Sequence, residues 1–315
     1  MKTSLVITIF NEEKTIKRLL DSLVNQTKKP DEIIFIDGGS SDRTVAEIEN
    51  SRLRQGFGGQ VKLKIFVKTG ATIAVGRNFG IREAENEIVV MTDAGCVLHK
   101  DWFEKITEPF KDKEIDVVAG FYQMTGESVF QKCLPCYLGI LPERLDPRNF
   151  MPSARSIAFR KKIWEEIGGF NEKLERAGED TLFNYQAKQL GARFLTVSNA
   201  LVDWEMPKTW QEAIKKFYIY AKGDGQAGTH SLKISAIYFR YILGLVTFFF
   251  GFYLPIFWII LTVGFIAYLL WAVGKNYNLI QARQAFFILP ALQVVSDIAV
   301  MAGFLIGRFK RVDEN

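Results

Sequence analysis

The chain has 315 residues, enough for one large α/β domain and an appendage. Its net charge of +5 is mild and its Lys and Arg residues are not gathered into a tract, which argues against nucleic acid and suits an anionic lipid face or a diphosphate equally. Three cysteines, Cys96, Cys133 and Cys136, make no disulfide framework at this length, and the Cys133–Cys136 pair lacks the second pair or nearby His of a zinc site.

The N-terminal apolar stretch is too short for a signal peptide and reads as a first strand. In chain order, residues 4–10 (SLVITIF), 32–36 (EIIFI), 63–67 (LKIFV), 87–91 (EIVVM) and 115–119 (IDVVA) are β-branched or aromatic runs typical of strands buried on both faces. Between them, Ile16, Leu19, Leu20 and Leu23, then Val45 and Ile48, then residues 73–84 carry helical spacing. Alternating strands and helices predict an α/β domain with a mostly parallel central sheet, which binds ligands at the carboxyl ends of its strands. Residues 51–60 (SRLRQGFGGQ) read as a surface loop insert, and residues 121–152 as a flap or acceptor region.

From residue 231 the chain changes solvent. Residues 241–273 contain no Asp, Glu, Lys or Arg, too long an uncharged run for one untilted span, since a bilayer core of about 30 Å takes about 20 residues. Pro255 divides it into a hairpin of about 232–254 and 255–274, and a third apolar stretch, 285–306, carries Pro290 and Asp297. The expected organisation is therefore an α/β domain over 1–230 and a membrane region of two or three transmembrane helices over 231–315. Three crossings from a cytoplasmic domain would place Arg308, Lys310 and Arg311 outside, against the positive-inside tendency.

Polar residues stand just beyond several strands: Phe10, Asn11 and Glu12 after the first, Asp37 after the second, Lys68 after the third, Asp93 after the fourth. A ring face, carboxylates and nearby cations are what a nucleotide diphosphate requires. Singly, each has a plainer reading. Asp37 opens DGGSSDRT and Asp93 lies in TDAG, both turn-forming contexts, and Glu179 or Asp180 would favour a helix N-terminus.

The segments LVITIFNEEKTIKRLLDSLVNQTKKPDEIIFIDGGSSDRT, VGRNFGIREAENEIVVMTDAG and SARSIAFRKKIWEEIGGFNEKLERAGEDTLFNYQAKQLGARF resemble, in order, the family 2 glycosyltransferases of GT-A fold over roughly residues 3–200. That resemblance implies a donor site in which Phe10 packs near the base and Asn11 and Glu12 line the nucleoside pocket. It implies that Asp37 hydrogen-bonds a uracil-type base, that Arg77 and Asn78 line the nucleotide site, and that Asp93 is the first Asp of a D-x-D motif. GED falls where the family provides its general base, so Asp180, with Glu179 beside it, is the expected catalytic carboxylate. The departure is Gly95, which stands where the last metal-binding carboxylate belongs. Asp93 is then the expected ligand of Mg²⁺ or Mn²⁺, with Asp203 or Glu205 as helpers.

The KKFYIYAKGDGQAGTH segment resembles one in membrane-attached members, in which Tyr220, Lys222 and Asp224 line the acceptor side or steady the diphosphate. An interfacial elbow with aromatic and cationic anchors explains it equally well. The expectation is an inverting hexosyltransferase that uses a UDP-sugar in preference to a GDP-sugar. It would act on a lipid-linked or membrane-proximal glycan acceptor for the cell envelope, from a multi-pass position in the cell membrane with the catalytic domain cytoplasmic. Two rivals are weighed. An oxidoreductase lacks its G-x-G-x-x-G after the first strand, and a degenerate nucleotide-sugar-binding membrane protein is suggested by Gly95.

Overall fold

The computed structural model describes residues 1–53 and 61–311, so most of the expected loop insert lies outside the described residues. Four apolar runs form the parallel half of one mixed sheet: β1 (Thr3–Ile9), β2 (Glu32–Asp37), β3 (Lys62–Val67) and β4 (Ile88–Met91). Their register sets Val6 between Ile34 and Met91, and Ile9 beside Asp37, which in turn faces Val67. The carboxyl ends of these strands therefore open at one edge. Beyond them come β5 (Cys96–Leu98), β6 (Val117–Thr125), β7 (Ile157–Arg160) and β8 (Phe194–Glu205), giving the order β3-β2-β1-β4-β7-β6-β8-β5.

The fifth predicted strand begins two residues later than expected. It pairs antiparallel with β7, which is itself antiparallel to β4. β7 reverses direction where the chain returns from residues 142–156, and so carries the segment before it back towards the open edge.

Helix Ile16–Val24 buries Ile16, Leu19, Leu20 and Leu23 as its spacing predicts. Helix Ile73–Glu83 starts on Thr72, whose hydroxyl accepts from the Val75 N–H, and lies so close to the sheet that a Cβ at Gly80 would collide with Ile36 and Val6. That close approach brings its Arg77 and Asn78 beneath the sheet edge rather than out into solvent.

The contacts divide the chain into two compact units. The first is Met1–Met124 with Pro142–Glu205, and the second is Thr125–Leu141 with the chain from Met206 onward. The division falls at Glu205, not at residue 230, and the expected 121–152 flap is shared between the two. The reason lies in helix Trp210–Ala227, which packs backbone to backbone on helix Ala285–Phe309. A Cβ at Gly303 would strike the Tyr218 carbonyl, one at Gly307 the Lys222 carbonyl, and one at Gly225 the Phe304 carbonyl. A side chain at any of these three positions would force the helices apart.

The second unit also holds short helices Val129–Cys133 and Pro135–Leu138 and the apolar helices Ser231–Phe250 and Ile256–Ile280. The predicted hairpin is present, its turn at residues 251–255. Together with Ala285–Phe309, these are three helices long and apolar enough to cross a membrane. Cys133 is buried, and burial pushes its thiol up to about 12, so it stays protonated and unreactive at neutral pH.

Gly307→Leu is expected to lower the thermal midpoint of the detergent-solubilised chain by several degrees. Gly244→Leu, at a helical glycine with open space around it, should leave the midpoint unchanged. Equal midpoints for the two variants in a thermal melt would show that the glycine contact contributes nothing.

Candidate functional site

Every expected catalytic and donor-binding residue lies in the first unit. At the open edge, the loop after β1 is laced to the loop after β2. The Asn11 N–H donates to Ser40 Oγ at 2.8 Å, Asn11 Oδ1 accepts from the Ser41 N–H at 2.9 Å, and the Glu12 N–H donates to Thr44 Oγ1 at 2.7 Å. Asn11 takes a left-handed backbone, φ 55°, a conformation that Asn tolerates better than most residues. The Glu12 carboxylate accepts from the Thr15 hydroxyl. Phe10, 60% exposed, stands free at the mouth, with its ring edge over Gly38.

Asp37 is only 1% exposed, and its oxygens serve its own loop. They accept from the Ser40 N–H at 2.9 Å, Ser40 Oγ at 2.5 Å and the Gly39 N–H at 3.2 Å. The turn-forming reading of Asp37 is thus realised in the geometry, and the carboxylate shapes the crevice wall.

The centre of the site is a buried guanidinium. Arg77 donates through one nitrogen to Glu179 and through the other to Asp93 Oδ1 at 3.0 Å, with 3% of its side chain exposed against 5% for Glu179. Burial pushes the Glu179 carboxyl above its ordinary value, although Arg77 pulls it the other way. Glu179 Oε2 has no hydrogen-bond partner among the described residues.

Glu179 opens helix Glu179–Gln189 behind Gly178, whose φ of 92° favours glycine. One residue on, Asp180 remains partly exposed. Its Oδ2 accepts from the Ala154 N–H at 3.1 Å and its Oδ1 from the Thr181 N–H at 2.8 Å. The TDAG loop and the GED turn, far apart in sequence, thus meet through one arginine.

Asn78 uses its whole amide inside the protein. Nδ2 donates to the Phe170 carbonyl and to Glu172 Oε1, both at 2.8 Å, while Oδ1 accepts from Trp164 Nε1 at 3.0 Å and the Phe170 N–H at 2.8 Å. With two donors and two acceptor sites engaged, no part of that amide is left for a ligand. Asn78 thereby holds the loop that leads into GED.

Sequence reasoning missed Arg155. Its guanidinium lies 3.9 Å from the Trp204 ring centroid, and its Nε is 3.8 Å from Asp93 Oδ2, with 17% of the side chain exposed. Nothing in the local pattern of PSARS marks it. Only the antiparallel return of β7 brings it to Asp93.

The expected metal helpers are engaged elsewhere: Asp203 pairs with His99 at 2.9 Å and Glu205 with Arg18 at 2.8 Å. Among the described residues no group of three or more His, Cys, Asp or Glu side chains is arranged to hold a metal. Asp93, 29% exposed, is left as a single carboxylate, and a Cβ at Gly95 would meet nothing within 4 Å. Such a site suits a divalent ion only when the ligand's own phosphate oxygens complete its coordination, which is the usual manner of Mg²⁺. Tyr220, Lys222 and Asp224 lie on helix Trp210–Ala227 of the second unit, where Asp224 Oδ1 accepts from the Thr229 hydroxyl at 3.0 Å.

The sequence model described as Glycosyl transferase family 2 matches residues 4–168, just over half of the chain. The chain belongs to this family. It is 25% identical over 196 residues to the uncharacterized glycosyltransferase EpsJ of Bacillus subtilis, a match covering 58% of this chain and 55% of EpsJ. The chain thus spans about half of EpsJ's own length. Among solved structures, it superposes on the mannosyltransferase PcManGT from Pyrobaculum calidifontis, in complex with GDP-Man and Mn²⁺. That match has a TM-score of 0.60 at 17% identity over 96% of this chain and 87% of the other. S. aureus TarS 1-349 in complex with UDP-GlcNAc matches with a TM-score of 0.51 at 22% identity over 70% of this chain and 66% of the other. The fold is GT-A.

Arg77→Ala would leave Glu179 buried without its cation, a change that typically costs about 3–5 kcal/mol. A carboxyl whose value is raised by folding contributes stability that is present at low pH and lost as pH rises through that value. Denaturant unfolding of Arg77→Ala should therefore show a deficit at neutral pH that shrinks under acid conditions. A deficit independent of pH would contradict the account.

Proposed function

We propose that the chain is an inverting glycosyltransferase that moves a sugar from a nucleotide-sugar donor to an acceptor hydroxyl. The observation that carries this reading is Arg77, which binds Asp93 and Glu179 at once and so gathers the donor-side loop and the carboxylate turn into one cleft. In the proposed reaction the Asp180 carboxylate takes the proton of the acceptor hydroxyl and the freed oxygen attacks the anomeric carbon. The bond from that carbon to the diphosphate oxygen breaks, and the nucleoside diphosphate leaves with the bonding pair.

Asp180 suits this role better than Glu179 because it is partly exposed and its orientation is fixed by two backbone N–H groups. Glu179 keeps Arg77 in place. Phe10 offers an exposed ring to the base, and Asn11, Glu12 and Asp37 build the wall beneath it. Arg155, beside Asp93, supplies positive charge for the departing diphosphate. Asp93 would hold a Mg²⁺ or Mn²⁺ brought in with the diphosphate, and such an ion neutralises phosphate charge.

A UDP-sugar is the preferred donor and a GDP-sugar the alternative. The GT-A fold accommodates both, since TarS was solved with UDP-GlcNAc and PcManGT with GDP-Man. The apolar helices favour a lipid-linked or membrane-proximal acceptor, because tethering raises the local concentration of such a substrate. The proposed location is the cell membrane, with the first unit on the cytoplasmic side.

Asp180→Asn should reduce transfer at least about a hundredfold, the usual scale for losing a general base, while nucleotide-diphosphate affinity measured by calorimetry stays within twofold. Equal loss of both would remove Asp180 from the chemistry. Gly95→Asp adds a second carboxylate in open space and should lower the Mn²⁺ concentration that half-saturates nucleotide binding. No change in that titration would place the ion away from the TDAG loop. Tight nucleotide binding without turnover of any donor, with or without Mn²⁺, would favour the binding-only rival.

A further inference from the structure

The second unit carries an inference that is independent of the chemistry. Helices Ser231–Phe250 and Ile256–Ile280 meet at their turn, where the Phe248 ring lies 4.8 Å from Trp258 and Phe250 lies 5.4 Å from Phe257. Helix Ala285–Phe309 touches the two legs through opposite ends of its own length. Its first turns sit at the end of the second helix, where the Tyr137 hydroxyl donates to the Leu289 carbonyl at 2.8 Å and accepts from Asn276 Nδ2 at 3.5 Å. Its last turns sit at the start of the first. The Tyr238 hydroxyl donates to the Met301 carbonyl at 2.6 Å, Phe304 packs with Ile234, and a Cβ at Gly228 would lie 3.3 Å from the Arg311 guanidinium.

Leu289, at the second leg, and Phe304, at the first, are 15 residues apart in one helix, about 22 Å at 1.5 Å per residue. The two legs of the hairpin are therefore held apart at their open ends, and helix Ala285–Phe309 is the bar between them. At its middle, Asp297 binds both legs. It accepts from Arg240 at 2.6 Å and from the Tyr241 hydroxyl at 3.2 Å on one leg, and from the Tyr268 hydroxyl on the other.

Two further observations agree. Of the most apolar stretch of each helix, 39% is buried within the protein for the bar, against 6% for either leg, while the opposite face of the bar shows Phe287, Ile298 and Phe309. Lys233, Lys275, Arg283, Arg308, Lys310 and Arg311 all fall at the open ends of the hairpin, and residues 241–273 hold no charge. A third crossing would place Arg308, Lys310 and Arg311 across the bilayer from Lys275 and Arg283. An in-plane bar keeps every one of these cations on one side, as the positive-inside rule requires.

We infer that only Ser231–Phe250 and Ile256–Ile280 cross the membrane. Helix Ala285–Phe309 lies in the interface with its aromatic face toward lipid, and Arg311 is on the side from which the chain enters. The partner is the bilayer, with anionic headgroups facing the six cations.

The full chain with an epitope tag at each terminus, produced in a bacterial host, tests this without any activity readout. Protease added to inverted vesicles should remove both tags, and protease added to intact spheroplasts should remove neither. A C-terminal tag cleaved in the preparation that protects the N-terminal one overturns the inference, as does recovery of the chain in the soluble fraction. Lys310→Cys in a cysteine-free background gives a second reading. An impermeant maleimide should label it in inverted vesicles and leave it unlabelled in spheroplasts, and labelling in the preparation that protects the N-terminal tag overturns the inference.

Discussion

The Arg77 guanidinium is the contact on which the candidate site depends. It lies in an apolar interior beneath the sheet edge, where a lone charge would be costly, and it is tolerable only because carboxylates from two distant segments close on it. The requirement runs both ways: Glu179 could not lie ionised at that depth without Arg77. Helix Ile73–Glu83 reaches this place through glycine contact with the sheet, and Asn78 on the same helix fixes the loop that delivers GED. Packing, hydrogen bonding and charge converge on adjacent residues of one helix.

Much of the parallel half of the sheet was legible because strands buried on both faces read as unbroken apolar runs, and β1, β2 and β4 are of that kind. The antiparallel half was less so. β8 is half-buried along much of its length and mixes polar with apolar residues, leaving only its FLTV opening strand-like, while β5 has just three residues. The direction of the strand after residue 116 was also hidden, since pairing with β7 is a long-range fact that no local pattern encodes.

The site divides in the same way. Asp93, Glu179 and Arg77 were visible as residues, but their mutual contact was not, and neither was the difference in exposure between Glu179 and Asp180. Asn78 and Asp37 were noticed for their place in motifs; the structure shows their polar atoms turned to internal partners. Arg155 was invisible because its significance comes from Trp204 and Asp93, two strands away in opposite directions of the chain. Composition marked the apolar helices clearly, while their arrangement follows from three glycines and one aspartate that composition treats as minor.

The splayed hairpin has a further physical consequence. Two legs that touch at the tip and stand about 22 Å apart at the base, by the rise of the helix between them, outline a wedge. On this topology the protein takes more area from the leaflet it enters than from the opposite one. Insertion therefore stresses the two monolayers unequally, and the energy of residence depends on local curvature as well as on lipid composition.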